Sequence, residues 1–171
     1  MKEWTKKTMN ELVESYLIGI VRNKKEQGSD RQFFYVKMDN ISNKNKFNGN
    51  NITKIDASET EIEKYNLCNN DFLFNTRNSH ELVGKNCIFK RELLNNTNVP
   101  VLFNNNIMRI RFRKEINPKF IAYSFSSNHI KEQLENIKHG TTNVSGIYYK
   151  SLKNIIIKYP PISEQKQIVE I

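Results

Sequence analysis

Two polar stretches carry the residue types best suited to recognising another molecule through hydrogen bonds. The first is Asn75-Thr76-Arg77-Asn78-Ser79, four neutral donor–acceptors and one fork-shaped guanidinium in a row. The second is Gly140-Thr141-Thr142-Asn143-Val144-Ser145-Gly146, hydroxyls and one amide between two glycines. A polar loop held between apolar strands suits a surface that reads a partner. The plain alternative for the first is an ordinary turn between strands; for the second, a helix C-cap followed by a turn.

The elements that must position these residues can be read from local pattern. Asn69-Asn70-Asp71 is a turn signal, because Asn and Asp bond their own backbone and tolerate left-handed angles. Phe72-Leu73-Phe74 before the first stretch and Asn86 to Phe89 after it read as buried strands. Upstream, Asn10 caps an expected helix to Ile20, its apolar face made by Leu12, Val13, Tyr16 and Leu17. Gln32 to Met38 is aromatic and β-branched enough for a strand, and Asp39 to Asp56 reads as one long loop. Ser58 and Glu61 match a capping box for a helix through Tyr65. Val99 to Phe103 and Ile107 to Phe112 are expected strands joined by an Asn104-Asn105-Asn106 hairpin turn. On the second of these, Arg109, Arg111 and Arg113 alternate with Met108, Ile110 and Phe112, which predicts a solvated or phosphate-facing arginine face. Asn117-Pro118 starts one helix, and Ser127-Asn128 a second that Gly140 stops. Ile155-Ile156-Ile157 is an expected strand, ended by Pro160-Pro161 before a Ser163-capped helix running to Ile171.

Bulk composition narrows the chemistry. The 171 residues fit one domain, and 37% hydrophobic with 11% aromatic residues exclude a disordered composition. Lys and Arg number 27 against 18 Asp and Glu, a net charge of +9, which points to a polyanionic partner or to a lysine-rich solubility surface. The opening MKEWTKK lacks the apolar core of a signal peptide, and no apolar run is long enough to span a bilayer, so a cytoplasmic protein with no membrane partner is expected. Cys68 and Cys87 are then reduced structural thiols, without the Cys or His neighbours that a zinc site needs. Asp39, Asp56 and Asp71 could in principle hold Mg2+ for a nuclease. However, no D-x(n)-E-x-K arrangement, phosphate-cradling glycine loop or cofactor-binding glycine motif is present. Glu81 with Lys85 is a helical-spacing salt pair at least as readily as a catalytic one.

Four segments in order then carry a resemblance. They are Asn70-Asp71-Phe72-Leu73-Phe74-Asn75-Thr76-Arg77, Glu81-Leu82-Val83-Gly84-Lys85, Gly140-Thr141-Thr142-Asn143-Val144-Ser145 and Pro160-Pro161-Ile162-Ser163-Glu164-Gln165. No one of them is specific, but their order and spacing over nearly the whole chain resemble the target recognition domain of type I restriction-modification specificity subunits. The resemblance implies an α/β (α+β) globule with a twisted mixed β-sheet and packed helices. Residues 1–160 would be the DNA target recognition domain and 161–171 the start of a spacer helix. It also implies a non-catalytic reader of one half of a split site in double-stranded DNA. Such a subunit docks methyltransferase subunits, and restriction subunits through them; S-adenosylmethionine, ATP and Mg2+ belong to those partners. Full subunits carry two such domains. A chain that stops here reads as a half-subunit able to pair as a homodimer, or as a silent recombination cassette or methyltransferase-binding decoy.

Within that resemblance, Arg77 and Asn78 are expected to approach the groove, with Thr76 and Ser79 on the backbone. Asn75 is included in the loop, although the loop's own peptides are its favoured partners. Thr141, Thr142, Asn143 and Ser145 are short donors suited to phosphate. Lys85, Lys138 and His139 are flanking phosphate contacts, and Lys44 and Lys46 either reach DNA or stay solvated. Glu164, Gln165 and Ile168 are the expected partner-binding residues of the spacer helix.

Overall fold

The computed structural model describes residues 4–170; Met1 to Glu3 and Ile171, on which the leader reading and the end of the last helix partly rest, lie outside them. In chain order the elements are β1 (Thr5–Thr8), α1 (Met9–Leu12), β2 (Val13–Ile18), β3 (Gln27–Gly28), β4 (Phe33–Val36), β5 (Thr53–Ile55), α2 (Glu59–Tyr65), β6 (Phe72–Asn75), β7 (Arg77–Asn78), β8 (Asn86–Ile88), β9 (Val101–Phe103), β10 (Ile107–Phe112), α3 (Pro118–Ser124), α4 (Asn128–Asn136), β11 (His139–Gly140), β12 (Ser145–Gly146), α5 (Tyr149–Leu152), β13 (Ile156–Tyr159) and α6 (Ile162–Val169).

A central antiparallel sheet, ordered β2-β10-β6-β8, is covered on both faces. Phe72 and Phe74 point to one side, into a core with Met108, Ile110, Phe120, Phe125, Ile130 and Leu134 from the helical layer. Leu73 points to the other, against Phe34, Val36, Val101 and Phe103 of a second sheet ordered β3-β5-β4-β9. Burial on both faces is why Phe72-Leu73-Phe74 is continuously apolar. All three are fully buried, each contributing about 1.5–3 kcal/mol of transfer free energy. The second sheet is mixed, with β4 and β9 parallel. Strand β1 pairs with β13, bringing the two ends of the described chain together. The α+β class expected from the sequence is the observed one.

Several local expectations give way to tertiary pairing. The helix expected from Asn10 to Ile20 is a single turn, α1, whose Glu11 carboxylate accepts from the Thr8 N–H and hydroxyl. Val13 onward is strand β2, because its β-branched and aromatic residues gain an antiparallel ladder with β10, irregular only where Arg111 and Phe112 shift register past Glu14. The loop from Asp39 to Asp56 contains β5, and buries Ile41 and Phe47. Asn104 to Asn106 do not form a hairpin. Strand β9 runs parallel to β4 while β10 lies between β2 and β6, so the turn moves the chain from one sheet to the other.

The two β10 arginines, Arg109 and Arg111, are bonded within the fold, while Arg113 lies past the strand's end and is exposed. Arg109 is 9% exposed, donates to Lys64 O and Asn66 O, and lies 5.8 Å from the Phe103 ring centroid. Arg111 forms a fork on the buried Asp71 (2.7 and 3.0 Å), and Arg113 donates to Glu11 O. Within β10 the face turns toward the second sheet, so Arg109 and Arg111 are used internally, while the expected solvated character is kept by Arg113. Helix α6 starts after Pro161 rather than from a Ser163 cap, with the Glu164 and Gln165 amides donating to Pro161 O. The capping box of α2 and the Asn117-Pro118 start of α3 are present as expected.

Candidate nucleic-acid interface

Strand β6 ends at Asn75, and the next residues leave the central sheet. Strand β7 pairs with β12, which pairs with β11, making a separate three-stranded ribbon. The register places Asn78 opposite Ser145 and Arg77 opposite Gly146. His80 N–H donates to Thr142 O (3.0 Å), and Ile147 N–H donates to Thr76 O (2.9 Å). The two polar stretches, remote in sequence, are thus hydrogen-bonded into one surface. Gly140, at φ +121°, lets the chain turn into the hairpin, whose tip is Thr141 to Val144; it does not act as the stop of α4, which ends at Asn136.

The residues within this surface divide into braces and exposed groups. Asn75 is fully buried; its amide donates to Arg77 O (3.0 Å) and Asn106 O (2.9 Å) and accepts from Asn78 Nδ2 (2.9 Å). Two of its partners are groups of its own loop, as expected, and the third is the Asn106 carbonyl of the β9–β10 connection. Asn78 is spent on Asn75 and on the Ser79 amide. Thr76 is buried, and Ser79 O accepts from the Leu82 and Val83 amides. Ser145 is 1% exposed, and its hydroxyl donates to Thr141 O (2.7 Å). Lys138 donates to His80 O (2.8 Å) and pairs with Glu135 (2.7 Å). Lys85 donates to Ile41 O (2.7 Å), and burial holds its pKa below the usual lysine value. It does not pair with Glu81, since residues 80–84 form a turn rather than the helix that pairing needs. Arg77, Thr141, Thr142 and Asn143 are exposed, as are His139, Val144 and Tyr148.

Two flanking features complete the surface. Residues 41–47 form a tight hairpin closed by an Ile41–Phe47 bridge, with Asn45 at φ +55° and Lys44 and Lys46 exposed. Asn45 Oδ1 accepts from Asn86 N–H and Lys85 reaches Ile41 O, so this basic hairpin is fixed beside the segment that follows the first polar stretch. His80 gave no signal in the sequence. Its ring meets Ser145 Oγ (3.2 Å) and Glu135 Oε1, partners 65 and 55 residues away that no local pattern connects to it.

The expected partner-binding residues face their own domain. Gln165 is fully buried, donating to Glu115 O and Pro160 O and accepting from Asn117 N–H. Glu164 accepts from Trp4 Nε1, and Ile168 packs partly buried against the helical core. Among the described residues no three His, Cys, Asp or Glu side chains are grouped to hold a metal ion. Asp71 is taken by Arg111 and the Cys68 amide, and Asp56 by Arg31.

Residues 1–171 match the family described as the Type I restriction modification DNA specificity domain. The chain belongs to that family. Related proteins include the type I restriction enzyme EcoKI specificity subunit of Escherichia coli K12, 31% identical over 121 residues, and the putative type I restriction enzyme MjaX specificity subunit of Methanocaldococcus jannaschii, 34% identical over 127 residues. Each match takes in 70% of this chain but only 25% and 28% of those subunits, so the chain spans about a quarter of the relatives it matches. Among solved structures, the HsdS subunit from Thermoanaerobacter tengcongensis superposes over 98% of this chain and 36% of its own, with a TM-score of 0.66 at 15% identity. The S subunit from M. genitalium superposes over 98% of this chain and 37% of its own, with a TM-score of 0.59 at 18% identity. The fold of these solved subunits is thereby shared with this chain.

Proposed function

We propose that this specificity domain reads one half of a split site in double-stranded DNA and leaves the chemistry to partner methyltransferase and restriction subunits. The observation that carries the reading is the hydrogen-bonded union of the Asn75–Ser79 and Gly140–Gly146 segments into one ribbon with a polar, exposed tip. The β11–β12 hairpin that carries the tip is two-stranded, a form that fits the major groove, where base edges present distinguishable donor and acceptor patterns. Arg77, Thr142 and Asn143 are the groups free to meet base edges or phosphates, and Thr141 contributes from the tip. Asn75, Thr76, Asn78, Ser79, Lys85, Lys138 and Ser145 act by holding those groups in place. Lys44 and Lys46, exposed on the hairpin fixed beside Lys85 and Asn86, are proposed phosphate contacts, consistent with the net charge of +9.

The chain supplies no step of its own in this scheme; S-adenosylmethionine, ATP and Mg2+ act in the partner subunits, within the cytoplasm. Helix α6 leads out of the domain toward the remainder of a subunit, or toward a second copy of the half-subunit. Selection from a randomised duplex library by the chain co-purified with its modification subunits tests the reading. A short enriched half-site is expected, with affinity falling steeply with salt. No enriched sequence together with salt-independent affinity would refute it.

A further inference from the structure

We infer that His80 is a positioning residue that fixes the hairpin tip relative to Arg77, and so sets which bases the ribbon reads. The inference rests on the DNA-reading role proposed above and adds the element that makes two segments act as one reader. Four contacts converge on this residue. Its N–H donates to Thr142 O (3.0 Å), its carbonyl accepts from Lys138 Nζ (2.8 Å), one ring nitrogen meets Ser145 Oγ (3.2 Å), and the other meets Glu135. The Ser145 hydroxyl in turn donates to Thr141 O (2.7 Å), so the ring is linked through one hydroxyl to the first residue of the tip. Because that hydroxyl proton is used on Thr141, Nδ1 must donate to Ser145. Because a carboxylate only accepts, Nε2 must donate to Glu135.

Without the ring the tip keeps its strand pairings and the backbone bond from His80 N–H to Thr142 O, but loses the side-chain tie to α4 and Ser145, and misplacement of a reading group by about an ångström is enough to cost specificity. The test uses the chain with its modification subunits and the same duplex library. His80→Ala is expected to lower enrichment of the wild-type half-site at least tenfold, to leave non-specific binding and its salt slope unchanged, and to speed exchange of the Thr141 amide. His80→Gln, which keeps an N–H donor at the position, is expected to restore most of the enrichment. Ser145→Ala is expected to match His80→Ala, and the double variant to be no worse than either, since both cut one relay. Equal half-site enrichment by His80→Ala and wild type overturns the inference and leaves the DNA-reading role standing. Additive losses in the double variant overturn it too, as does a parallel collapse of non-specific binding and melting temperature in His80→Gln. A wild-type complex that enriches no sequence overturns both the inference and the role on which it rests.

Discussion

Replacing Asn75 by Asp changes one amide nitrogen into an oxygen at a fully buried position, with almost no change of volume. The acceptor side of the residue survives, since Asn78 Nδ2 can still donate to it. The donor side does not. Arg77 O and Asn106 O, which received N–H groups at 3.0 and 2.9 Å, now face a carboxylate. An ionised side chain loses both bonds and meets two repelling oxygens in a buried site. Protonation is the escape and caps the cost. Keeping an Asp of ordinary pKa about 3.9 neutral at pH 7 costs about 4 kcal/mol at 1.36 kcal/mol per unit. The neutral acid regains one of the two bonds and forfeits the other, worth about 1 kcal/mol. The expected loss at pH 7 is therefore about 3–5 kcal/mol. At roughly 2–4 °C per kcal/mol for a chain of this size, the melting temperature should fall by about 10 °C or more. The sign with pH follows from the raised carboxyl pKa in the folded variant. Its neutral form is favoured by folding, so the deficit relative to wild type widens as pH rises above the unfolded value and narrows toward pH 4. Urea denaturation of both proteins from pH 4 to 8 measures this. A variant within about 1 kcal/mol of wild type at pH 7, or a deficit that does not shrink on acidification, would show that Asn75 is not the brace described here.

Other outcomes follow from the same structure. Arg77→Ala should leave thermal stability unchanged, because the side chain is exposed. It should weaken specific DNA binding by about 1–3 kcal/mol, relaxing one base position if the contact is to a base and weakening all sequences alike if it is to phosphate; selection on the duplex library separates the two. Lys44→Gln with Lys46→Gln should lower the slope of log affinity against log salt by about 0.9 for each lysine that touches phosphate, without altering the half-site. Tyr35→Phe leaves the buried Ile20 carbonyl without the hydroxyl that now donates to it at 2.7 Å, and should cost about 1–3 kcal/mol by urea titration at pH 7. Burial pushes the Tyr35 pKa up from 10.0 to about 12. The stability it contributes is therefore present below pH 10 and lost between about pH 10 and 12, a decline that should flatten in the variant.

The features legible in the sequence are those set by contacts a few residues apart. Ser58 and Glu61 cap α2 across one turn, Asn117 and Pro118 pre-form the start of α3, and Asn70 takes φ +69° where the turn required it. The two polar stretches were visible for the same reason: hydroxyls, amides and a guanidinium clustered without an apolar period mark a hydrogen-bonded loop rather than an apolar core element. What local pattern misjudged was decided by distant partners. Leu12, Val13, Tyr16 and Leu17 are spaced well enough for a helix face, yet the ladder with β10, about 90 residues later, outweighs a short helix of weak propensity. The β10 arginines looked outward because alternation fixes only which residues share a face. That their face meets a second sheet, and that Asp71 waits there for Arg111, depends on packing. The site divides along the same line. The sequence by itself determined which residue types the reading surface would be made of. Only the tertiary structure decided that Asn75, Ser145 and Gln165 turn inward, that Arg77 and Thr142 stay free, and that His80 joins the two segments, because burial and hydrogen-bond geometry are properties of the folded chain.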